Sequence, residues 1–255
     1  MSFKTSIRLL ILALAVLLPT VNATASPIRV FAAASLTEAF RDIGVAYESK
    51  HPGDKVEFNF AGSPTLKTQI QQGAPVDVFA SADLPNMQAL VDAKVVNAPV
   101  VFTRNTLVIV TPPKDAAVKS PADLAKSGVK LVLAGQKVPA GHYADEVLTK
   151  MTPALGADFA EKTRQNTVSR ESNVKAVLAK CILGEADAGI VFSTDARSAG
   201  RTVRVITIPT EYNVVAEYPI ATITNADNRS GAASFVAFVL SKPGQAILKK
   251  YGFLK

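Results

Sequence analysis

Apolar runs of strand length alternate with helix-like segments along most of the chain. Segments with the apolar spacing of amphipathic helices occur at 36–50, 64–73, 84–93 and 141–151. The runs that predict strands are IRVFAAA, VEFNFA, VDVFAS, LVIVTP, VKLVLA, AGIVFS and VRVITIP. Short apolar strands separated by amphipathic helices are typical of parallel α/β sheets. The pattern therefore predicts an α/β fold.

Four junctions at the starts of predicted helices lack charged and aromatic side chains. They are Ala34-Ser35-Leu36-Thr37, Gly62-Ser63-Pro64-Thr65, Pro139-Ala140-Gly141 and Ser172-Asn173-Val174. In open α/β sheets, ligands bind outside the carboxyl ends of the strands. A helix start also leaves N–H groups without intrahelical partners and carries a partial positive charge. Small residues allow an anion to approach such a backbone, so the junctions indicate an anion site.

The serines in these junctions have a second interpretation. Ser35, Ser63 and Ser172 are each good candidates for an ordinary helix N-cap, and Ser63 is followed by a proline that suits the first helical position. Plain capping explains any one junction by itself. The occurrence of four such junctions together favours a binding site.

Residues 1–25 have the features of a secretory signal peptide. Lys4 and Arg8 precede an apolar run, and Ala23-Thr24-Ala25 provides a cleavage signal of small residues. Removal of residues 1–25 from the 255 leaves 230, enough for two lobes. The formal net charge falls from +7 to +5 without Lys4 and Arg8. The remaining basic residues form no stripe with interleaved aromatics, which disfavours binding to nucleic acid.

Cysteine and histidine usage argues against a redox or metal centre. Cys181 is the single cysteine and lies on the apolar face of a predicted helix, which indicates a buried structural thiol. His51 and His142 are far apart in sequence, and no cysteine pair accompanies them. This composition does not predict a zinc site.

Enzyme motifs give little support for catalysis. The sequence contains no H-E-x-x-H, G-x-S-x-G, Walker A or G-x-G-x-x-G pattern. S-x-x-K occurs at 127–130 and 172–175, but without the S-D-N and K-T-G partners of penicillin-type acylases. An exported Ser/Lys hydrolase that uses Ser127 or Ser172 stays open as the alternative from a different functional class.

Several motifs together resemble the periplasmic molybdate-binding proteins that feed ABC importers. They are VFAAASLTEAF, FAGSPTLKTQI, GAPVDVFASAD, VPAGHYADEVL, AGIVFSTDA, AEYPIA and KKYGF, and they run from about residue 28 to 253. The resemblance implies an α/β, two-lobed periplasmic-binding-protein fold (type 2). Each lobe would be a mixed, mainly parallel sheet flanked by helices. Two crossover strands would join a first lobe of 28–104 and 217–255 to a second lobe of 105–216.

The resemblance also implies a set of oxyanion ligands. The family's hydroxyl and N–H donors fall on Ser35 and Ser63, and its backbone N–H donors fall on Ala140 and Val174. The fifth family ligand is often a Tyr, where this chain has Phe192, so one hydroxyl donor is lost. The candidates to replace that donor are Ser193, Thr194, His142, Tyr143 and a water molecule.

Ligand chemistry is consistent with this donor set. Molybdate and tungstate are unprotonated dianions at neutral pH, so every protein group that faces them should donate. Hydrogen phosphate carries a proton and requires an acceptor, and no carboxylate lies in the Ser35 or Ser63 turns. Glu171, beside the Ser172 turn, is the one carboxylate that could face the site. Sulfate is also a dianion, so a sulfate receptor stays open.

The function implied by the resemblance is transport. The chain would be a periplasmic, monomeric receptor that binds molybdate or tungstate and passes it to an inner-membrane ABC permease with a cytoplasmic ATPase. It would need no cofactor and no residues that ligate a metal cation, because the molybdenum arrives as an oxyanion. It would have no nucleic-acid partner and no enzymatic activity.

Overall fold

The computed structural model describes residues 26–114 and 116–255, and the predicted signal peptide lies outside these ranges. The strands of this part are β1 Ile28–Ala33, β2 Val56–Ala61, β3 Val78–Ala80, β4 Val100–Asn105, β5 Leu107–Thr111, β6 Leu131–Ala134, β7 Thr167–Glu171, β8 Ala188–Phe192, β9 Arg204–Thr207 and β10 Ala216–Thr222. The α-helices are α1 Thr37–Lys50, α2 Ser63–Gln71, α3 Leu84–Asp92, α4 Pro139–Leu155, α5 Phe159–Gln165, α6 Val174–Ile182, α7 Ser193–Ala199, α8 Arg229–Leu240 and α9 Lys242–Tyr251. A 3-10 turn, Ala34–Leu36, connects β1 to α1.

The strands form two five-stranded sheets. The first has the order β2-β1-β3-β10-β4 and the second the order β7-β6-β8-β5-β9. In the first sheet, β1 is parallel to β2 and β3, and β10 is antiparallel to β3 and β4. In the second, β6 is parallel to β7 and β8, and β5 is antiparallel to β8 and β9. The α/β prediction is confirmed, with a larger share of antiparallel pairs than expected.

The parallel strands of each sheet place their carboxyl ends at a common edge. Ala33 at the end of β1 lies opposite Ala61 at the end of β2. In the second sheet, Ala134 at the end of β6 lies opposite Glu171 at the end of β7. The turns that follow these strands are therefore neighbours, as expected where a ligand binds at strand ends.

The chain passes between the two sheets twice. It leaves β4 of the first sheet at Asn105 and enters β5 of the second at Leu107, so one residue separates the two strands. It returns through 208–215 to β10, which is inserted between β3 and β4. The first sheet is thus built from both ends of the described chain.

The core is continuous between the two sheets. One cluster of buried apolar side chains includes residues of β1, β6, β8 and β10. The Phe192 ring of β8 packs against the Tyr218 ring of β10, with centroids 5.7 Å apart. Cys181 is buried on α6 as predicted, and burial raises the pKa of its thiol to about 12.

Between residues 26 and 255, Asp115 aside, no single helix is both long and apolar enough to cross a bilayer. The helices α8 and α9 reach that length and composition only as a pair, and they are bent by 61° at their junction.

Candidate functional site

A small cavity lies where the carboxyl ends of the parallel strands in the two sheets face each other. Ser35, Ser63, Ala140, Val174 and Phe192 all line it, so the structure brings the five sequence-predicted residues together. The rest of its lining is small or apolar apart from one asparagine: Ala33, Ala34, Ala61, Gly62, Ala82, Val138, Pro139 and Asn173. Among the described residues, none with a charged side chain lines this cavity.

Helix starts supply backbone donors to the cavity. Ser63 is the first residue of α2, Val174 is the first of α6, and Ala140 is the second of α4. Ser35 lies in the 3-10 turn that leads into α1. N–H groups in a first helical turn have no intrahelical acceptor. These positions can therefore donate to a ligand from both lobes.

The two serine side chains are not helix caps. Gly62, not Ser63, is the N-cap of α2, and no side-chain cap bond is present at Ser35 or at the start of α2. At α6 the cap is Asn173, whose Oδ1 accepts from the Ala176 N–H at 3.1 Å. The capping interpretation is wrong for Ser35, Ser63 and Ser172. Ser35 and Ser63 lie inside their helical turns, after the N-cap position. Ser172 lies one residue before the N-cap of α6.

The hydrogen-bond direction at the Ser63 hydroxyl is defined. The Ala82 N–H donates to Ser63 Oγ at 3.1 Å, and Ser63 is 1% exposed. A backbone N–H is only a donor, so Ser63 Oγ must be the acceptor in this bond. The proton of Ser63 then stays available for a ligand in the cavity. Ser35 is also buried, with Oγ 3.0 Å from the Tyr218 hydroxyl.

Two glycines allow backbone segments around the cavity to approach each other closely. An ideal Cβ on Gly62 would lie 2.4 Å from the carbonyl oxygen of Ser172. These residues belong to turns at the ends of different sheets, so their backbones touch across the cleft. An ideal Cβ on Gly141 would lie 2.3 Å from the Ala134 carbonyl oxygen, so a glycine there lets α4 begin directly against β6.

Phe192 contributes an apolar wall. It is 1% exposed, and its ring packs edge-on against Tyr143 at 6.4 Å between centroids. None of the side chains considered as replacement donors, among the residues described, lines the cavity. The hydroxyls of Ser193 and Thr194 instead bind the Asn105 side chain, each at 2.8 Å. Polar contacts to a ligand therefore come from the four turns.

A charged cluster lies beside the cavity. Lys175 Nζ is 2.7 Å from Glu38 Oε2 on α1 and 2.9 Å from Asp195 Oδ1 on α7. The contact with Asp195 satisfies the distance of an ion pair but not hydrogen-bond geometry. Burial alone would lower the pKa of Lys175, but Asp195 and Glu38 outweigh burial and raise it. Burial raises the pKa of Asp195, although Lys175 opposes the shift.

Glu171, the carboxylate that the sequence suggested could face the site, does not line the cavity. Glu171 Oε1 lies 2.8 Å from Lys180 Nζ and accepts from the Ser169 hydroxyl at 2.7 Å. The hydrogen bonds from Lys180 and Ser169 lower the pKa of Glu171. Glu171 therefore offers the cavity neither charge nor acceptor.

Two partners of the serines were missed by the sequence analysis. Ala82 and Tyr218 lie in the motifs GAPVDVFASAD and AEYPIA, which contributed to the family resemblance but gave neither residue a role at the site. The sequence does contain one signal, because Tyr218 is the only hydroxyl in the run AEYPIA. Its partner Ser35 is 183 positions away, so the pairing depends on the sheet order and cannot be read from spacing.

The family described as bacterial extracellular solute-binding protein matches residues 28–254. The chain belongs to this family. The molybdate-binding protein ModA of Mycobacterium tuberculosis is 39% identical over 235 residues, which cover 91% of this chain and 85% of that protein.

Solved structures place this solute-binding protein in a two-lobed fold. The Azotobacter vinelandii periplasmic molybdate-binding protein aligns with a TM-score of 0.78 at 20% identity, over 89% of this chain and 99% of that one. The sulfate-binding protein SubI of M. tuberculosis aligns with the same TM-score at 17% identity, over 89% of this chain and 86% of that one. The predicted fold is confirmed, but fold alone does not select the anion.

Proposed function

We propose that this solute-binding protein is a periplasmic receptor that captures molybdate, and also tungstate, between its lobes. It delivers the anion to an ABC permease in the inner membrane, which a cytoplasmic ATPase drives. The observation that carries the proposal is the cavity, which combines serine hydroxyls and helix-start N–H groups and is lined by no charged side chain of residues 26–114 and 116–255. The likeness to ModA supports the choice of anion.

Neutral donors are sufficient for a dianion. Two serine hydroxyls and the N–H groups of Ser35, Ser63, Ala140 and Val174 make six donors. At roughly 1.5 kcal/mol for each charge-assisted bond, the gross gain is about 9 kcal/mol. A micromolar dissociation constant corresponds to about 8 kcal/mol, so the donors must be held ready and water excluded. Closure of the lobes supplies both conditions.

Closure follows from the distribution of the donors. Ser35 and Ser63 follow strands of the first sheet, and Ala140 and Val174 follow strands of the second. An anion that bridges the two sets favours the closed state over the open one. The contact between Gly62 and Ser172 and the ion pair between Lys175 and Glu38 connect the lobes in this closed arrangement.

The proposal assigns no catalysis and no cofactor to the chain. Lys175, the partner of Ser172 in one S-x-x-K pattern, is held between two carboxylates that raise its pKa. A protonated lysine cannot serve as the base of a Ser/Lys hydrolase. Ser127 and Lys130 of the second pattern are both exposed, away from the cavity.

Titration calorimetry of the mature chain, freed of bound ligand, tests the function. Molybdate, tungstate, sulfate and phosphate are titrated in turn. We expect tight one-to-one binding of molybdate and tungstate, weak or silent sulfate, and no heat from phosphate. Equal affinity for sulfate would show that the chain is a receptor for tetrahedral dianions, sulfate included, and that it does not select molybdate. Absence of binding to all four anions would overturn the proposal.

A further inference from the structure

The hydroxyl of Tyr218 has two partners in the part of the chain that the structure describes. It lies 3.0 Å from Ser35 Oγ and 3.4 Å from Asn105 Nδ2. All three side chains are buried, and Tyr218 and Asn105 are both 0% exposed. Tyr218 itself does not line the cavity, whereas Ser35 does. Its ring packs against Phe192 of the cavity wall, and its hydroxyl reaches the cavity through Ser35.

The orientation of the Asn105 amide is fixed by its other contacts. The Thr106 N–H donates to Asn105 Oδ1 at 3.0 Å, and the Ser193 hydroxyl donates to the same oxygen at 2.8 Å. The amide NH₂ therefore faces Thr194 Oγ1 at 2.8 Å and the Tyr218 hydroxyl at 3.4 Å. An amide NH₂ donates and does not accept. Tyr218 cannot give its proton to Asn105.

The proton of Tyr218 then has one destination. Among the described residues, Ser35 Oγ is the remaining partner within hydrogen-bond distance of the Tyr218 hydroxyl. If the bond ran the other way, the buried Tyr218 proton would have no acceptor, which is unfavourable. Tyr218 consequently donates to Ser35 Oγ. Burial raises the pKa of Tyr218 well above its ordinary value, so this proton is retained at neutral pH.

We propose that Tyr218 is a positioning residue that fixes the Ser35 hydroxyl as a donor toward the cavity. The bond parallels that of Ser63, whose oxygen accepts from the Ala82 N–H. Both serines then present protons to the ligand. An oxyanion without a proton is favoured, and one that carries a proton lacks an acceptor at Ser35. The inference rests on the proposed function and refines its choice of ligand class.

The test compares four variants with the unmodified chain. Tyr218→Phe removes the hydroxyl and keeps the ring in its packing. Tyr47→Phe is the matched control, since Tyr47 is equally buried but its hydroxyl binds Asp54 instead, at 2.7 Å. Ser35→Ala is made both alone and in combination with Tyr218→Phe. Molybdate affinity is measured by calorimetry, phosphate affinity by displacement of molybdate, and folding by thermal unfolding.

We expect Tyr218→Phe to weaken molybdate binding about three- to tenfold. The preference for molybdate over phosphate should fall by about tenfold, because a freed Ser35 hydroxyl can rotate and accept a proton. Tyr47→Phe should leave both affinities unchanged even if it lowers the unfolding temperature. In the Ser35→Ala background, removal of the Tyr218 hydroxyl should have no further effect on molybdate.

The outcomes separate the two proposals. If Ser35→Ala weakens molybdate binding but Tyr218→Phe changes neither affinity nor preference, the positioning role is overturned and the binding site stands. An equal loss from Tyr218→Phe with and without Ser35 would also overturn it, because the effect would bypass the serine. If Ser35→Ala leaves molybdate binding intact, the proposed site itself fails.

Discussion

A serine hydroxyl can donate and accept, so its protein partner decides what it presents to a ligand. Ser63 Oγ accepts from a backbone N–H, and Ser35 Oγ lies against a buried tyrosine hydroxyl. Both serines, which the sequence motifs single out, line one cavity. Their hydrogen-bond partners could not be predicted, because the sheet order β2-β1-β3-β10 is what places Ala82 near Ser63 and Tyr218 near Ser35.

Removal of either serine hydroxyl should weaken ligand binding without unfolding the protein. Ser35→Ala and Ser63→Ala are each expected to cost about 1 to 3 kcal/mol of molybdate binding free energy. Calorimetry measures the affinity, and thermal unfolding verifies the fold. Ser172→Ala is the matched control, since Ser172 is exposed and does not line the cavity. Unchanged affinity in both cavity variants would contradict the site.

At the scale of elements, helix starts and strand ends create the site together. Because β1 and β2 are parallel and in register at Ala33 and Ala61, the following turns lie side by side. The sequence predicted this arrangement from alternating strands and helices. It predicted the caps less well, since Gly62 and Asn173, and not the serines, are the N-cap residues of α2 and α6. Adjacent polar residues are equally good cap candidates, and only backbone conformation decides between them.

Gly62 provides a test of lobe closure. In Gly62→Ala, the new methyl would collide with the Ser172 carbonyl across the cleft. Overpacking of this kind costs about 1 to 3 kcal/mol, which corresponds to about five- to 150-fold in molybdate affinity. Stability of the unliganded protein should change little, because the open lobes leave room for the methyl.

The control for that variant is Gly135→Ala. An ideal Cβ at Gly135 lies 3.6 Å from its nearest neighbours, an ordinary van der Waals distance, so affinity should be retained. Calorimetry and thermal unfolding of both variants decide the matter. Equal affinities in Gly62→Ala and Gly135→Ala would show that close contact between the two turns is not required for binding.

At the scale of the whole molecule, two lobes enclose a cavity that no charged side chain of the described residues lines, and a charged cluster lies beside it. The two-lobed fold was predicted from the resemblance of several motifs, spread along the chain, to a known family. That prediction did not depend on individual side-chain contacts. The position of Lys175 between Glu38 and Asp195 was not predicted. Glu38 lies on a helix of the first lobe and the other two on helices of the second, so the contact of Lys175 with Glu38 depends on how the lobes meet.

Neutral donors imply that molybdate affinity is nearly independent of pH. The cavity lining has no ionisable side chain among the described residues, and the raised pKa of Tyr218 keeps its hydroxyl protonated. Loss of that proton would require a pH above the ordinary tyrosine value of about 10. We expect less than about a threefold change in affinity between pH 6.5 and 8.5, measured by calorimetry. A steep fall with rising pH would instead indicate a titrating cation at the site.

The most direct measurement is a crystal structure of the protein co-crystallised with molybdate, with data collected at the molybdenum absorption edge. Anomalous scattering locates the metal without any assumption about its ligands. We expect one molybdenum peak in the cavity, within reach of the hydroxyls of Ser35 and Ser63 and the N–H groups of Ala140 and Val174. Molybdenum on surface lysines alone, or absent from the cavity, would contradict the proposed receptor site.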